Sequence, residues 1–406
     1  MKLEGPRPIG SYCIGIYDGP HATPKESTDG PIFLGIKNIT DDGRLDLSDI
    51  RHVSEQEFPT WTRRVVPQPG DVVFTYEATL HRYAIIPDGF QGCLGRRVAL
   101  VRPDPMQVDS RYLLDFFLSP RWRATIDRNV ITGATVDRIP LERFPGFLVV
   151  LPKLSEQKRI ADILSAYDDL IENNRRRMVL LEEAARQLYR EWFVRLRFPG
   201  SEHTRIANGV PEGWESRRVG EIAECIGGGT PSTSVSTFWE DGDIAWVTPT
   251  DVTRNQHLVL INSERKITEA GLKKSSARLV PSHAVLMTSR ASVGFFAVAG
   301  HEVCTNQGFI SIVSHDKALS SYLLFHLSHR VEEIRSMGSG STYPEVSRSK
   351  MREFQVLVPH RQLLSLFAEQ VGVILSQIRV LKEQNQKLHA ARDLLLPRLM
   401  SGEVEV

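Results

Sequence analysis

The sequence predicts an α+β protein: two pseudo-symmetric α/β globules separated by two long helices that form an antiparallel coiled coil. Three observations carry this reading. The chain repeats itself at about half its length, each repeat mixes short apolar runs with turns, and each repeat closes on a heptad ladder. The expected divisions are 1–151 for the first globule, 152–206 for a central helix and linker, 207–358 for the second globule and 359–406 for a distal helix.

The repeat is read by sliding the chain against itself. Thr23-Pro24 then falls on Thr230-Pro231, Ile39-Thr40 on Val252-Thr253, Val72-Val73 on Val285-Leu286, Thr75 on Thr288, Ala78 on Ala291 and Gly95 on Gly308. Further on, Tyr112-Leu113-Leu114 meets Tyr322-Leu323-Leu324, Gly133 meets Gly340, and Leu151-Pro152 meets Val358-Pro359. The offset grows and then shrinks back, as loop-length differences between two copies of one fold require. A period of half the chain means two large copies and not a solenoid.

Within each globule, short apolar runs bounded by Gly, Pro and Ser/Thr favour strands: 71–75, 97–101, 284–288 and 309–313. Helical patches intervene at 110–118 and 320–327. After each globule comes the ladder. The first is Ile160, Leu164, Tyr167, Ile171, Asn174, Met178, Leu181, Ala185, Leu188, Trp192. The second is Phe367, Val371, Ile374, Ile378, Leu381, Asn385, Leu388, Arg392, Leu395, Leu399. Alternating steps of four and three are a coiled-coil seam. Pro152 and Pro359 precede the helices, Pro199-Gly200 is expected to end the first, and Pro397 to tighten the end of the second. Asn174 and Asn385 occupy non-equivalent seam positions, either buried to set register or lying at a solvated edge. Helices of this length span ~50–60 Å at 1.5 Å per residue. That exceeds the ~34 Å between half-sites one turn of DNA apart, so a duplicated module on such a ruler suggests a bipartite target.

Composition narrows the function. The chain has 406 residues, with 50 Lys+Arg against 49 Asp+Glu for a net charge of +1, which excludes a strongly basic tail-type nucleic-acid binder but not a local patch. No apolar run of the ~18–20 residues that cross a bilayer is evident, so no membrane association is expected. The opening Met1-Lys2-Leu3-Glu4-Gly5-Pro6 lacks the apolar core of a signal peptide. The scattered Cys13, Cys93, Cys225 and Cys304 suit a reduced, cytoplasmic protein.

Catalytic signals are missing. No GxxxxGK[ST] phosphate loop and no Asn-Pro dipeptide occur. Gly227-Gly228-Gly229-Thr230 reads as a turn where backbones approach closely. Ser347 to Lys350 matches SxxK without its companion motifs. The pairs His301/Cys304 and His326/His329 each lack the second pair that a four-ligand metal site needs. No catalytic residue and no metal site are expected.

Nucleic-acid contacts are the better candidates. Two corresponding loops follow buried runs, one offering Thr75, Tyr76, Thr79, His81 and Arg82, the other Ser289, Arg290 and Ser292. Small hydroxyl residues let a backbone approach phosphates, and an Arg can fork onto guanine. Asn306 and Gln307 could read adenine through their amides. Each is also compatible with an ordinary polar turn. Neither globule carries an excess of basic residues, so any basic surface must come from segregation.

The motifs Glu212-Gly213-Trp214, Gly228-Gly229-Thr230-Pro231-Ser232, Trp246-Val247-Thr248-Pro249-Thr250-Asp251-Val252, Thr288 to Gly294, Asn306-Gln307-Gly308-Phe309 and Gly340-Ser341-Thr342 resemble the target-recognition domain of type I restriction–modification specificity (S) subunits. The stretches Leu154 to Ile160, Ile171 to Asn174 and Arg190 to Phe193 are similar to that family's central spacer, and Arg392 to Gly402 to its distal spacer. Asp18-Gly19-Pro20-His21-Ala22-Thr23-Pro24 resembles a variant opening of the same domain. These motifs add Thr23, Thr135, Thr230, Thr248, Ser341 and Thr342 to the candidate DNA contacts.

Two departures stand out. Thr75 to Arg82 replaces the Ser-Arg-Ala-Ser-Val-Gly form, so the first globule's individual contacts are expected to depart from the family's, and Leu363-Leu364 replaces the family-like Glu156-Gln157, so docking at the start of the second spacer is expected to differ. The resemblance implies a non-catalytic chain whose globules each read half of an asymmetric, split double-stranded DNA site. Two modification subunits would dock on it, bind S-adenosylmethionine, flip adenine and methylate N6. Restriction subunits would bring the ATP-driven motor and nuclease. This chain itself would hold no cofactor. The alternatives are a coiled-coil scaffold that binds proteins without DNA specificity, and a fused methyltransferase or nuclease.

Overall fold

A computed structural model describes residues 5–133, 136–255, 257–338 and 345–405. The chain divides into two compact units, Met1–Ile171 with Lys387–Val406, and Glu172–Gln386. The division runs through both long helices, because each helix half buries its seam in the core of the globule it packs against.

In the first unit, strands Cys13–Asp18, Val98–Pro103, Val72–Thr75 and Tyr83–Ile85 form one antiparallel sheet in that order. Val72–Thr75 is buried at every position, which explains its continuous apolar run. A second sheet orders Arg51–His52, Ser27–Leu34 and Gly92–Leu94, with the last pair parallel. Helix Ser110–Leu118 starts where the Asp109 carboxylate accepts the N–H groups of Arg111 and Tyr112. Its Phe116 and Phe117 close the core around Trp122, whose Nε1 donates to the Tyr83 hydroxyl at 3.1 Å.

The second unit repeats this plan. Strands Ala223–Gly227, Phe309–Ser314, Val285–Thr288 and Phe296–Ala299 stand in the same order, with Val259–Leu260 added at the edge. Ile244–Val247 runs parallel to Val303–Thr305, as Ser27–Leu34 does to Gly92–Leu94. The match extends to single residues. Ala78 and Ala291 both adopt positive φ, 69° and 60°. Each tip is followed by the same contact, Thr79 N–H to the Glu77 carbonyl and Ser292 N–H to the Arg290 carbonyl.

The helices are Leu154–Tyr189 and Arg361–Ser401. Within each unit the two run antiparallel. In the second unit Asn174 Nδ2 donates to Asn385 Oδ1 at 2.8 Å, both residues buried, while Trp192 packs on Phe367. In the first unit Ile160 and Leu164 share a core with Leu399, and Arg392 Nη1 donates to Asp168 at 2.6 Å. The buried reading of the two asparagines therefore holds, and antiparallel pairing is why they sit at non-equivalent positions of the repeat. Ile171, Met178, Ala185, Val371, Ile378 and Leu381 are buried as the seam requires, and Tyr167, Leu181, Leu188, Ile374, Leu388 and Leu395 are half-buried.

Two expectations, the end of the first helix and the absence of a long apolar run, are corrected, and two further features emerge. The first α-helix ends at Tyr189 and passes into a π-helical turn, Arg190–Val194, with Leu196 at φ 58°, before Pro199-Gly200 is reached. The second helix runs through Pro397 to Ser401. The heptad ladder omits Glu182, which is buried although charged. The second helix also holds an 18-residue window of mean hydropathy 1.4, long and apolar enough by those measures to cross a membrane. The seam residues Phe367, Val371 and Ile378 of this helix lie in the core of the second unit.

The departure at the start of the second spacer has a packing reason. Gln157 is fully buried, accepts the Asp109 N–H at 3.0 Å, and donates to the carbonyls of Gln107 and Pro152 at 3.1 and 2.9 Å. Leu364, its counterpart in the repeat, is buried in an apolar cluster instead. Removing both an amide and its partners is nearly neutral, whereas removing one alone is not.

Two outcomes follow. Asn174→Leu alone leaves the Asn385 amide buried and is expected to cost about 1–3 kcal/mol in denaturant unfolding. Changing both to Leu should recover that loss, and failure to recover it would dissociate the pair. His326 is buried between the Tyr189 and Tyr322 hydroxyls, 3.0 and 2.9 Å from Nδ1, and burial pushes its imidazole down to about 3. A neutral buried base contributes stability above its ordinary value of 6.5 that is lost as pH falls from there toward 3. His326→Asn should therefore flatten the pH dependence of unfolding over that range by about 1.4 kcal/mol per pH unit, and an unchanged slope would remove His326 as its source.

Candidate nucleic-acid interface

In the second globule, four sequence segments far apart in the chain converge. Gly228 and Gly229 are required by close approach: a Cβ on Gly228 would lie 2.1 Å from the Thr305 carbonyl oxygen, and one on Gly229 would lie 2.2 Å from Ser276 Oγ. This makes the glycine run a backbone-approach loop. Trp246 Nε1 donates to the Gly229 carbonyl at 2.9 Å, and the Thr230 hydroxyl donates to Gln307 Oε1 at 2.6 Å. Asn306 N–H reaches the Val247 carbonyl at 3.0 Å, while its side-chain oxygen accepts the Gly308 N–H at 2.9 Å. Ser289 N–H then donates to the Gly308 carbonyl at 2.8 Å, drawing in the Thr288–Gly294 loop.

The candidates play different parts. The Thr248 hydroxyl and N–H both donate to Asp251, at 2.6 and 2.7 Å, starting helix Pro249–Arg254. Ser289 is buried, so its hydroxyl offers no surface to a duplex, while its backbone carbonyl accepts the Val346 N–H at 2.9 Å. Ser292 follows the Ala291 tip, and its carbonyl accepts the Thr288 hydroxyl. Arg290 is exposed at the tip, but its guanidinium is held by Glu345 at 2.9 Å, and the two residues also form a backbone bridge. Gln307 is exposed with its carbonyl end engaged, so the amide nitrogen is the end that could read a base.

The first globule keeps the backbone and changes the side chains. Glu77 and Arg138 form the equivalent bridge, so the charges carried by Arg290 and Glu345 are exchanged there. Thr75 is fully buried and Tyr76 nearly so, with burial pushing the Tyr76 hydroxyl up to about 12. The expectation that these two side chains reach DNA is thus corrected: they fill the space beneath the loop. His81 Nε2 lies 2.8 Å from Asp127, and desolvation lowers its pKa. Arg82 turns inward to donate to the Ile39 carbonyl at 3.3 Å. Thr79 is half-buried and Thr23 exposed. Thr135, Ser341 and Thr342 lie outside the described residues.

The sequence reading missed Trp239 and Arg265. The Arg265 guanidinium lies 3.7 Å from the Trp239 ring centroid and 5.5 Å from that of Trp246, beside the glycine loop. An unpaired Trp and Arg many residues apart carry no spacing signal, so only the fold brings them together. Cys13, Cys93, Cys225 and Cys304 are free thiols, and burial pushes the first two up to about 12 and the last two to about 11. Among the described residues no group of three or more His, Cys, Asp or Glu is placed to hold a metal ion.

A duplicated α/β unit with two differently decorated copies of one loop face, closed by antiparallel helices, fits a known class. The family profile described as type I restriction modification DNA specificity domain matches residues 38–183 and 211–387, and the chain belongs to that family. The chain is 34% identical over 181 residues to the type I restriction enzyme MjaIX specificity subunit of Methanocaldococcus jannaschii, covering 44% of this chain and 42% of the relative. It is 21% identical over 334 residues to the type I restriction enzyme HindI specificity subunit of Haemophilus influenzae, covering 67% of this chain and 72% of the relative. The chain thus spans under half the length of the first relative and nearly three quarters of the second. The crystal structure of a type I restriction-modification system S subunit from M. genitalium, 16% identical, matches in fold with a TM-score of 0.56 over 98% of both chains.

Arg290→Ala is expected to weaken DNA binding of the assembled complex by about 1–3 kcal/mol on one half-site sequence if Arg290 reads a base. Equal loss on all sequences would make it a phosphate contact, and no loss would leave it as the partner of Glu345 alone.

Proposed function

We propose that this chain is the DNA sequence-specificity subunit of a type I restriction–modification complex and performs no catalysis itself. Each globule reads one half of an asymmetric, split target on double-stranded DNA, and the helices between the copies fix the gap. The observation that carries this reading is the repeated loop face. One backbone, with the same positive-φ tip and the same bridge, presents Arg290 and Glu345 in one copy and Glu77 and Arg138 in the other. Equal frames with unlike side chains are what two unlike half-sites call for.

In this reading the chemistry lies on partners. Two modification subunits dock on the chain, bind S-adenosylmethionine and methylate adenine N6 after flipping the base from the stack. Restriction subunits add an ATP-driven motor and nuclease. The complex works in the cytoplasm, where DNA is accessible and thiols stay reduced. Family membership across both repeats argues against a scaffold without DNA specificity.

The test is adenine-methylation mapping by long-read sequencing, with and without this chain, while its modification partner is expressed. Loss of one split motif, methylated on both strands, is the expected result. An unchanged methylation pattern with an active modification partner would overturn the proposal.

A further inference from the structure

Each long helix of the second unit sends one charged side chain into the same short loop of its globule. Glu182, on the first helix, is buried, and its Oε1 accepts the Leu258 N–H at 2.6 Å. Arg186 holds its other oxygen at 3.1 Å, and His257 Nδ1 lies 3.4 Å from Oε1. Lys382, on the second helix, donates to the side-chain carbonyl of Asn255 and, at 2.7 Å, to the Val259 carbonyl. The Asn255 amide in turn donates to the carbonyls of His257 and Val259.

The loop these groups grip joins two elements that matter. Upstream is helix Pro249–Arg254, whose N-cap Thr248 stands at the candidate DNA face and whose C-cap is Asn255 itself. Downstream is strand Val259–Leu260, paired in parallel with Phe296–Ala299 of the main sheet. A helix of six residues is ~9 Å long and rigid over that distance. The far end of this helix is therefore clamped by both long helices at once. Apolar contacts alone would let the globule rock on the helix pair, because they are non-directional. Rocking here breaks a carboxylate bond and two ammonium bonds together, and a buried carboxylate such as Glu182 is penalised when it loses a partner.

We infer that Glu182, Lys382 and Asn255 form a positioning latch that holds the second recognition face at one orientation on the helices and so sets which gap length between half-sites is accepted. None of the three is among the candidate DNA contacts. The inference rests on the specificity reading above. It differs from helix length as a determinant, because the latch acts on the angle of the globule and not on the number of helical turns.

The experiment uses the assembled complex of this chain with its modification subunits. Methyl transfer is measured on duplexes carrying the two half-sites at the native gap and at one base pair more or fewer, alongside binding to a duplex with the second half-site alone. Lys382→Met, which keeps the buried stem, and Glu182→Ala are each expected to reduce the preference for the native gap by about tenfold, the scale of a lost charge-assisted hydrogen bond. Half-site binding should stay within about twofold, inside the scatter of surface substitutions. Glu182→Gln retains an acceptor for the Leu258 N–H and should keep most of the preference. Asn255→Ala, at a half-buried loop position, serves if Lys382→Met does not assemble. An unchanged gap preference in assembled variants would overturn the latch, as would equal loss on every duplex. A wild-type complex with no split motif would instead sink the specificity reading on which it stands.

Discussion

The rest of the structure depends on how the two heptad seams are closed. A seam of Ile, Leu, Met and Phe on a long helix must meet another, and within each unit this chain supplies the second from its own distal repeat. Antiparallel closure is then pinned by polar groups that tolerate only one alignment. Sliding one helix by a turn, ~5.4 Å, would separate the buried Asn174–Asn385 pair and break its hydrogen bond. In the first unit the same slide would part Arg392 from Asp168. Apolar burial drives the pairing, and these few polar contacts select its register.

The helices also organise the globules they touch. Gln157 ties the start of the first helix to the Gln107–Asp109 turn and Pro152, so the loop that caps helix Ser110–Leu118 is anchored from below. In the second unit the corresponding leucine does this by packing, and the ionic contacts move to Glu182 and Lys382. Two copies of one fold thus attach to their helices by different residues, with Arg111–Asp168 an ion pair of the first unit. Such drift is permitted wherever a polar network is exchanged whole for apolar packing.

A surface that reads DNA as proposed needs a rigid backbone and variable side chains, and the candidate loop face has both. Its hydroxyl and amide groups are largely spent on one another: Thr230 on Gln307, Thr248 on Asp251, Asn306 on Gly308. That holds the segments in place, and under the proposed function it would lower the ordering cost of binding. The positive-φ alanines at both tips store strain at the same point of each copy, a position where function is more often found than stability.

Much of this was legible in the sequence. Periodicity reports burial directly, so the heptad ladders, the buried strands and the duplication could be read from residue type and spacing. Helix ends were less so, since the first α-helix gives way to a π-helical turn after Tyr189, well before Pro199, and the second passes through Pro397 to stop before Gly402 at φ 75°. The division of labour within the loops was not legible. Thr75 and Ser289 carry hydroxyls that suit DNA, yet the fold turns them inward, while Arg265, on a strand, meets Trp239, at the end of a short turn, only in the folded chain. The partners of Glu182 and Lys382 were equally hidden. A charge on a seam helix reads as a solvated face until the globule that covers it is in place. By itself the sequence determined the repeat, the helical seam and the absence of the usual catalytic motifs, because those depend on residue type and local period. The tertiary structure decided which polar groups are free to face a duplex and which hold the frame, because that depends on contacts between segments the chain brings together only when folded.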